Sequence, residues 1–555
     1  MDFISTFAED LSGAIWGWPS RFPLMVAMLL LTGLATTVAL RFIQLRRLKH
    51  SIDVIRGRYD DPSHKGDLSH FQALTTALSA TVGIGNIAGV ATAIHYGGPG
   101  ALFWMWVTAV FGMALKYAEC TLSMRFRTIL PDGTASGGPM YYIEKGLGPS
   151  WKPLAVFFAV CAVISSFGSG NSIQAFTVAD QLRSDLGVPT WITGLIMASL
   201  VAAVILGGIK RIGQVTSRLV PYMAAIYIVG GLLVLFMNAG QVPGVLADIV
   251  ASAFRPAAQI GGFAGGTFIF MLTWGVKRGL FSNESGQGSA PIAHAAAKTD
   301  EPVREGVVAM IGPMIDTLII CSITGLVILT TGVWTDRHAD RVEVNAQSDL
   351  TVLVGEAHVL TDGEIDDADR FDGALVVVHG EPVGAAFVRN HSLVERPVLT
   401  ATDGTPFDGD LRIEAGDIDF GSAPDLWLDG DMALNGSPLT AAAFQRGLSP
   451  LGGWGRYIIT LGVLLFGLST AISWSYYGDR AVVYLFGPRW VTTYKTVFCV
   501  MHFLGAIFSL EIVWNFGDSA LGLMALPNLI GLVLLMRVTR GMTGEYFSRK
   551  HRPLR

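Results

Sequence analysis

Long apolar stretches are the feature that most constrains how this chain can fold. A membrane span needs about 20 predominantly apolar residues, and the sequence contains eleven stretches of about this length. They lie at about 22–42, 71–95, 100–124, 152–175, 190–208, 219–238, 263–282, 307–333, 456–476, 493–511 and 514–537. Charged residues make up only 15% of the chain, whereas a typical soluble domain has about 25%. The sequence therefore predicts an all-α polytopic membrane protein.

The distribution of lysine and arginine predicts the orientation of these spans. The segment after the first span contains Arg41, Arg46, Arg47, Lys49, Arg56, Arg58 and Lys65. Alternation across the later spans puts the other basic loops and the basic C-terminal tail on the same side. Because short loops rich in lysine and arginine stay in the cytoplasm, we expect a cytoplasmic C-terminus and an extracytoplasmic N-terminus. We expect the protein in the inner (plasma) membrane of a bacterial cell.

An acidic insert of different chemistry lies at about 335–450. It contains 22 Asp and Glu residues against 7 Arg and no Lys. Short alternating runs such as 351–354 and 374–378 predict strands, and Asp-Gly pairs between the runs predict turns. We expect a small β-rich domain on the extracytoplasmic side. Calcium binding at Asp366, Asp367 and Asp369 or at Asp417 and Asp419 is possible in principle, but solvated turn acids are the favoured interpretation.

Two of the apolar spans are interrupted by glycine and polar residues, at 80–86 and at 281–291. In a bilayer, backbone that leaves the helix loses hydrogen bonds that water cannot replace. Such breaks persist where the freed backbone groups face protein, ions or substrate. A pair of broken spans, one in each half of the chain, indicates the midplane binding site of a secondary transporter.

The first break has the chemistry of an amino-acid carboxylate site. Gly83 and Gly85 allow close approach of a ligand to the backbone. The helix that resumes through Ile84 to Asn86 presents free N–H groups with a partial positive charge. Carbonyls released before the break, around Thr81 and Val82, can coordinate a hard cation such as sodium.

The second break contains consecutive polar residues at the end of an apolar span: Ser282, Asn283, Glu284 and Ser285. Ionisable groups at membrane depth are functional by default. Glu284 has three open interpretations: it accepts from backbone amides, it pairs with Arg278, or it helps to hold the ammonium group of a ligand. We expect Ser282, Asn283 and Glu284 to contribute to the substrate site.

Five runs of sequence also carry a family resemblance. They are 75–90, 137–143, 277–284, 288–291 and 473–478. In these runs the chain resembles the alanine or glycine:cation symporter family. The resemblance covers nearly all of the chain outside the insert and implies cation-coupled uptake, most often sodium-coupled, of small neutral amino acids such as alanine or glycine by alternating access.

The resemblance also implies a fold. It is the five-plus-five inverted repeat of bacterial leucine transporters, preceded by one extra N-terminal helix. On this basis we divide the chain into an N-terminal helix and basic loop (1–70), the first repeat and the start of the second (71–334), the insert (335–450), and the rest of the second repeat with its tail (451–555). The two broken spans then open the two repeats.

Further site residues follow from the position of each helix in that fold. Gln174 is expected to contact the bound amino acid and Phe176 to line its side chain. Ser469 and Thr470 are expected to complete a sodium site with Thr81 and Val82. Trp474, one helical turn beyond Thr470, is expected to cover a small substrate.

Other intramembrane polar groups have less specific interpretations. Lys116 and Glu119 are spaced i,i+3 and are expected to pair on one helix face. For Asp316, next to Thr317, a second cation site, a proton carrier and a structural pairing stay open.

Competing functions can be compared with this hypothesis. An intramembrane enzyme is not expected, because the sequence has neither the HExxH zinc motif nor the G-x-S-x-G nucleophile elbow. A proton-coupled transporter, a channel, and a membrane sensor with the insert as its receptor are the alternatives. The expected partners are a small neutral amino acid, sodium as the coupling ion and the lipid bilayer. No nucleic acid and no organic cofactor are expected.

Overall fold

The computed structural model describes residues 13–19, 23–61, 63–254, 268–344, 350–355, 368–389, 392–419, 425–508 and 511–551, with only the backbone of 511–518. The start of the predicted span 263–282 lies outside these residues, as do Asp366 and Asp367 of the calcium hypothesis. The descriptions below concern the described residues.

Helices make up most of the described chain. In chain order they are α1 (Leu24–Ala39), α2 (Ile43–Arg46), α3 (Leu48–Ile55), α4 (His70–Thr81), α5 (Ala88–Phe126), α6 (Pro139–Leu147), α7 (Lys152–Phe167), α8 (Ile173–Leu186), α9 (Thr190–Ile205), α10 (Gly208–Met237), α11 (Val242–Ser252), α12 (Phe268–Asn283), α13 (Ala290–His294), α14 (Pro302–Ala309), α15 (Ser322–Thr331), α16 (Gly436–Gly447), α17 (Gly455–Phe486), α18 (Val491–Ile507), α19 (Glu511–Leu534) and α20 (Met536–Ser548). Two π-helical stretches, Gly168–Ser172 and Met314–Cys321, join α7 to α8 and lead into α15.

Several of these helices can span a membrane. Among the described residues, five helical segments are long and apolar enough to do so: Ile84–Phe126, Pro149–Leu186, Gly208–Met237, Pro302–Thr331 and Gly455–Phe486. The bent pair Ser519–Leu534 and Met536–Ser548 makes a sixth if it is one span. The predicted stretches at 22–42, 71–95, 190–208, 263–282 and 493–511 lie on shorter or interrupted helices.

Helix α10 begins earlier than the apolar stretch predicted at 219–238. The basic residues Lys210, Arg211 and Arg218 precede or adjoin that stretch, but they lie on α10, which begins at Gly208. All three are exposed, whereas Ile212 on another face of the same turn is buried. A helix tolerates charge in its first turns when the charged face stays solvated, so no loop is required there.

The two helix breaks follow the glycine and polar residues of the sequence. Helix α4 begins with a capping box in which Ser69 and Gln72 satisfy each other's backbone N–H groups, as its S-x-x-Q sequence favours. It ends at Thr81, and the short 3₁₀ turn Ile84–Asn86 precedes α5. The second break separates α12 from α13 and contains three residues with positive φ, namely Glu284, Gly286 and Gly288.

Strands occupy two regions. A short hairpin, β1 (Thr128–Ile129) with β2 (Ala135–Ser136), follows α5. The remaining strands, between α15 and α16, are β3 (Arg337–Glu343), β4 (Leu350–Val354), β5 (Gly373–Val378), β6 (Glu381–Pro382), β7 (Ala385–Arg389), β8 (Ser392–Leu393), β9 (Glu395–Ala401), β10 (Gly409–Glu414), β11 (Asp417–Ile418) and β12 (Leu426–Ala433). They form three antiparallel sheets of order β11-β10-β5-β6, β3-β12-β9 and β4-β7-β8.

Alternation explains the core of this strand region. In β5, Leu375 and Val377 are buried while Val376 and Val378 are exposed, as the two-residue period of a strand requires. No group of three or more His, Cys, Asp or Glu side chains that could hold a metal ion occurs in the described part of the chain.

The C-terminal boundary predicted for the insert is too late. Residues 436–447, assigned to the insert from its acidic composition, form the helix α16, which packs on α5, α15 and α17. Thr440 donates to the backbone carbonyl of Ile87 at the first break, at 3.0 Å. The composition shift therefore ends before the helical body resumes, because α16 carries few charges and an apolar buried face.

Polar contacts fix the ends of the broken helices. Arg127, just after α5, donates to four backbone carbonyls, those of Lys65, Ala295, Ala297 and Thr299, at 2.7–3.0 Å. Nearby, the fully buried Glu305 accepts from His70 at the start of α4 and from His294 at the end of α13. These contacts hold the N-terminal end of α4 against the segment that follows the second break.

Candidate functional site

A small cavity lies between the two helix breaks. Its volume is about 20 Å³, enough for little more than one water molecule. Its walls combine both breaks with α8, α17, α19 and the π-helical stretch after α7. The lining residues are Ala80, Thr81, Gly83, Ile84, Gly85, Ser169, Gln174, Phe281, Glu284, Gln287, Thr470, Trp474 and Leu521. The structure thus brings together eight of the residues expected to bind substrate or ion.

Backbone donors line the cavity at the first break. Gly83 adopts an extended conformation, with φ of −133° and ψ of −160°. Its N–H donates to Asn86 Oδ1 at 2.8 Å, which closes the turn. Within the described part of the chain, the N–H groups of Ile84 and Gly85 have no hydrogen-bond partner. Both residues line the cavity.

Asn86 and Ser282 were expected to contact the substrate, but neither lines the cavity. The Asn86 amide nitrogen donates to Asp316 Oδ1 at 2.6 Å, and Ser282 Oγ donates to Asp316 Oδ2 at 2.7 Å. Thr317 Oγ1 donates to the same Oδ2, also at 2.7 Å. The fully buried Asp316 therefore joins the first break to the second through its hydrogen bonds from Asn86 and Ser282.

Asn283 belongs to the same connecting network. Its Nδ2 donates to Thr317 Oγ1 at 3.2 Å, and its Oδ1 accepts from the Ser285 N–H at 3.0 Å. Its side-chain amide is thus occupied by protein groups and does not reach the cavity.

Glu284 does line the cavity, and its partner differs from the predicted ion pair. It has φ of +54°, a left-handed conformation that a non-glycine residue adopts at a cost. Its Oε2 accepts from Ser289 Oγ at 2.5 Å. Arg278 does not pair with it, because the guanidinium lies over the ring of Trp274, 5.1 Å from its centroid.

Two glutamines bring unpaired polar atoms to the cavity. Gln174 donates to the Ser169 carbonyl at 3.0 Å, while its Oε1 is buried without a partner. Both side-chain polar atoms of the fully buried Gln287 have no partner either. Buried polar groups in this state are rare and costly, so a ligand or a water molecule in the cavity would satisfy these atoms. Gln287 was not predicted as a site residue. Its position inside the polar stretch 282–289 is the signal that could have identified it.

Phe176 was expected to line the site, but Phe281 occupies that position. Phe176 is half-buried and does not line the cavity. Two positions along an α-helix correspond to a rotation of about 200°, so Gln174 and Phe176 face opposite sides of α8. The aromatic wall comes from Phe281 at the end of α12 and from Trp474 of α17.

Ser469 and Thr470 lie beside the end of α4, two residues earlier than predicted. Ser469 Oγ contacts the carbonyl oxygens of Phe466 and Ser79 at 3.0 and 3.2 Å. Thr470 Oγ1 contacts the carbonyls of Ser79 and Ala80 at 3.2 and 3.4 Å. The expected partners Thr81 and Val82 are not contacted by these hydroxyls.

This arrangement gathers only neutral oxygen atoms, from two hydroxyls and three carbonyls. The Thr81 hydroxyl instead bonds back to the carbonyls of Ala77 and Leu78, both at 3.3 Å. Val82 is the C-cap residue that follows α4, and it is fully buried. The oxygen cluster at Ser469 and Thr470 has the donor chemistry that a hard cation prefers.

Trp474 closes the cavity against the π-helical stretch. It is 3% exposed and lies close to Gly170, where an added Cβ would be 2.4 Å from the indole Cγ. Only glycine therefore allows the ring to sit at this depth.

The predicted pair of Lys116 and Glu119 is not formed. No hydrogen bond or ion pair joins these two described residues. Glu119 instead accepts from Asn528 Nδ2 at 2.5 Å, and the same nitrogen contacts the Gly286 carbonyl at 2.8 Å. Partners from α19 and the second break therefore outcompete the neighbour on the same helix face.

Comparisons with known proteins identify the family of this chain. The family model described as the sodium:alanine symporter family matches residues 1–361 and 425–554. The chain is 40% identical to the sodium/alanine symporter AgcS of Methanococcus maripaludis, over 98% of each chain. It is 36% identical to an uncharacterized transporter of Haemophilus influenzae, over 98% of this chain and 97% of that one. A crystal structure of MhsT in complex with L-phenylalanine aligns with a TM-score of 0.48 at 9% identity, over 87% of this chain and 99% of that one. The resemblance found in the sequence is thereby confirmed: this chain belongs to the sodium:alanine symporter family, whose members are membrane transporters and not enzymes.

Proposed function

We propose that the chain is a symporter that couples the movement of a small neutral amino acid, alanine or glycine, to sodium by alternating access. The observation that carries this proposal is the cavity between the two helix breaks, with free donors on one side and unpaired acceptors on the other. The name of the Methanococcus relative supports the choice of alanine and sodium. We also propose the five-plus-five repeat as the frame of the motion.

The free donors suit the carboxylate of an amino acid. The N–H groups of Ile84 and Gly85 lie just before α5, where the helix dipole adds partial positive charge. Gly85 exposes its backbone without a side chain, which allows close approach. We place the carboxylate on these two groups, with Asn86 holding the turn in shape.

The unpaired acceptors suit the ammonium group. Gln174 Oε1 and Gln287 Oε1 are buried without partners, and the Glu284 carboxylate lines the same cavity. An ammonium group would satisfy these oxygens and remove their desolvation penalty. Phe281 and Trp474 form the aromatic wall of the cavity, which must widen from its present volume to admit an amino acid.

The oxygen cluster at Ser469 and Thr470 is the proposed sodium site. Its hydroxyls and the carbonyls of Ser79, Ala80 and Phe466 belong to α4 and α17, two separate helices. A cation bound there would hold these helices together beside the substrate cavity. Gly83 links the two sites, because its Cα lies against the Thr470 hydroxyl.

A proton-coupled transporter is the second candidate. The buried carboxylates of Glu284 and Asp316 favour it, since either group could carry a proton through the helical body. In that case sodium would not be required for accumulation, although the substrate cavity would be unchanged.

Uptake of labelled alanine into proteoliposomes tests the proposal, with an inward sodium gradient, an inward proton gradient, or neither. We expect accumulation with the sodium gradient alone. Thr470→Val should raise the sodium concentration for half-maximal uptake by about tenfold or more, because it removes one hydroxyl ligand of a charged group.

Thr92→Val is the matched control, because the Thr92 hydroxyl only bonds back to Ala88 O in its own helix, at 2.9 Å. It should leave the sodium dependence unchanged. Accumulation driven by the proton gradient alone would support the second candidate. An absence of alanine uptake under every gradient would contradict the proposed substrate.

A further inference from the structure

A second cavity lies far from the substrate site, between the end of α1 and α20. Its volume is about 250 Å³, and four of the residues that line it are arginines: Arg41, Arg46, Arg47 and Arg540. Apolar groups, including Leu40, Ile43 and Phe547, form the rest of its wall. No acidic side chain is among the lining residues that the structure describes.

These arginines have no carboxylate partners among the residues that the structure describes. Within the described residues, none of the four forms an ion pair with a carboxylate. Arg46 donates to the backbone carbonyl of Arg41 at 3.3 Å, and the Arg47 guanidinium lies over the Phe547 ring, 3.9 Å from its centroid. Four like charges around one cavity repel one another, so an anion in the cavity would relieve the repulsion.

The chain turn after α1 directs these arginines to one place. Arg41 and Phe42 have φ of +55° and +57°, a left-handed conformation that is costly for two consecutive non-glycine residues. The turn is fixed by a hydrogen bond from the Phe42 N–H to Thr37 O at 2.8 Å. It brings Arg41 and Arg46 to the same cavity, opposite Arg540. Such strain is found where a site requires it.

The surroundings of the cavity are apolar and exposed. On α1 and α2, Leu31, Val38 and Leu45 are 64%, 55% and 71% exposed. On α19, Val533 and Leu534 are 54% and 48% exposed. Exposed apolar surface of this kind indicates contact with lipid. The cavity therefore lies where the apolar band ends and positive charge begins, on the side predicted to be cytoplasmic.

We propose that this cavity binds the headgroup of an anionic phospholipid. The phosphate oxygens would accept from the forked N–H groups of the arginines, and the acyl chains would lie along α1 and α19. A basic cavity between helices at the cytoplasmic surface is suited to this class of lipid. A soluble phosphate would use the same arginines but gain nothing from the apolar surface.

Native mass spectrometry of the full-length protein in detergent tests this site, with titrations of dioleoylphosphatidylglycerol and dioleoylphosphatidylcholine. Wild type should bind the anionic lipid more tightly than the zwitterionic one. The variant Arg46→Gln with Arg540→Gln should lose about tenfold or more in affinity for the anionic lipid. The matched control, Arg56→Gln with Arg537→Gln, removes the same charge from neighbouring positions outside the cavity and should bind as wild type does.

A third variant, Arg46→Lys with Arg540→Lys, keeps the charge and removes the forked donors. It should bind the anionic lipid more weakly than wild type, and it keeps the test decisive if the glutamine variant does not fold. Equal binding of the two lipids by wild type would overturn the proposal. An equal loss of affinity for the anionic lipid in the glutamine variant and in its control would also overturn it. Displacement of the lipid by millimolar inorganic phosphate would assign the cavity to a soluble anion instead.

Discussion

The contact between Gly83 and Thr470 allows the proposed sodium site to be perturbed by a single carbon atom. A Cβ added at Gly83 would be 2.5 Å from Thr470 Oγ1, but 3.5 and 3.6 Å from Thr470 Cβ and Cγ2. The extended backbone of Gly83 is open to any residue, so Gly83→Ala introduces no φ strain. The clash therefore involves the hydroxyl oxygen alone.

The expected cost of Gly83→Ala follows from this geometry. Overpacking by one methyl group costs about 1–3 kcal/mol of stability. Thr470→Ala removes the clashing atom and by itself loses one buried hydroxyl, worth about 1 kcal/mol. The double variant should therefore be more stable than the sum of the two single costs predicts, by an interaction energy of about 1 kcal/mol or more.

Thermal unfolding of the wild type, the two single variants and the double variant in detergent measures this coupling. Size-exclusion chromatography monitors the unfolding. Gly83→Ala should lower the unfolding midpoint, and Thr470→Ala should lower it less in the Gly83→Ala background than in the wild type. Both alanine variants should still lose sodium-dependent uptake, because neither retains the oxygen cluster intact. Strictly additive costs would refute the reasoning, since they would mean that residue 83 and the Thr470 hydroxyl do not touch.

Three further substitutions test other parts of the structure. Gln287→Leu should raise the KM for alanine by about tenfold by removing an acceptor for the ammonium group; an unchanged KM in uptake assays would remove Gln287 from the site. Gly170→Ala should push the Trp474 ring out of its place and abolish uptake while the protein still inserts; normal uptake would show that the ring can shift. Arg127→Lys should lower stability by about 1–3 kcal/mol, because a single ammonium cannot replace a guanidinium that serves four carbonyls; an unchanged unfolding midpoint would contradict that role.

The helix breaks could be predicted from the sequence because glycine and polar residues inside an apolar stretch have few structural explanations. The one-turn spacing of Thr470 and Trp474 likewise predicted that both would face the same side of one helix. Both residues line the cavity. These predictions succeeded because they depend on local geometry, either helix periodicity or the loss of it.

Other positions depend on geometry that the sequence does not express. The π-helical stretch Gly168–Ser172 adds a residue to the turn before α8 and so changes which face of that helix meets the cavity. Helix periodicity puts Gln174 and Phe176 on opposite faces of α8, but it does not say which of the two faces meets the cavity. Gln287 lies in non-helical backbone, where no periodicity predicts the direction of a side chain.

Tertiary competition explains the remaining differences. Glu119 lies one turn from Lys116, yet it bonds to Asn528 from a distant helix. Asn86 and Ser282 have the residue types of a binding site, but Asp316 takes their hydrogen bonds. In both cases, a partner far away in sequence satisfies a buried polar group better than the expected one.

The central claim is that movement of the amino acid and movement of sodium are coupled in the same direction. The most direct measurement is the entry of labelled sodium into proteoliposomes that have equal sodium on both sides and an inward alanine gradient. A symporter should accumulate labelled sodium inside the proteoliposomes, driven by the alanine gradient, although no sodium gradient is imposed. Thr470→Val should abolish this accumulation. Sodium entry at the same rate with and without alanine would contradict the account.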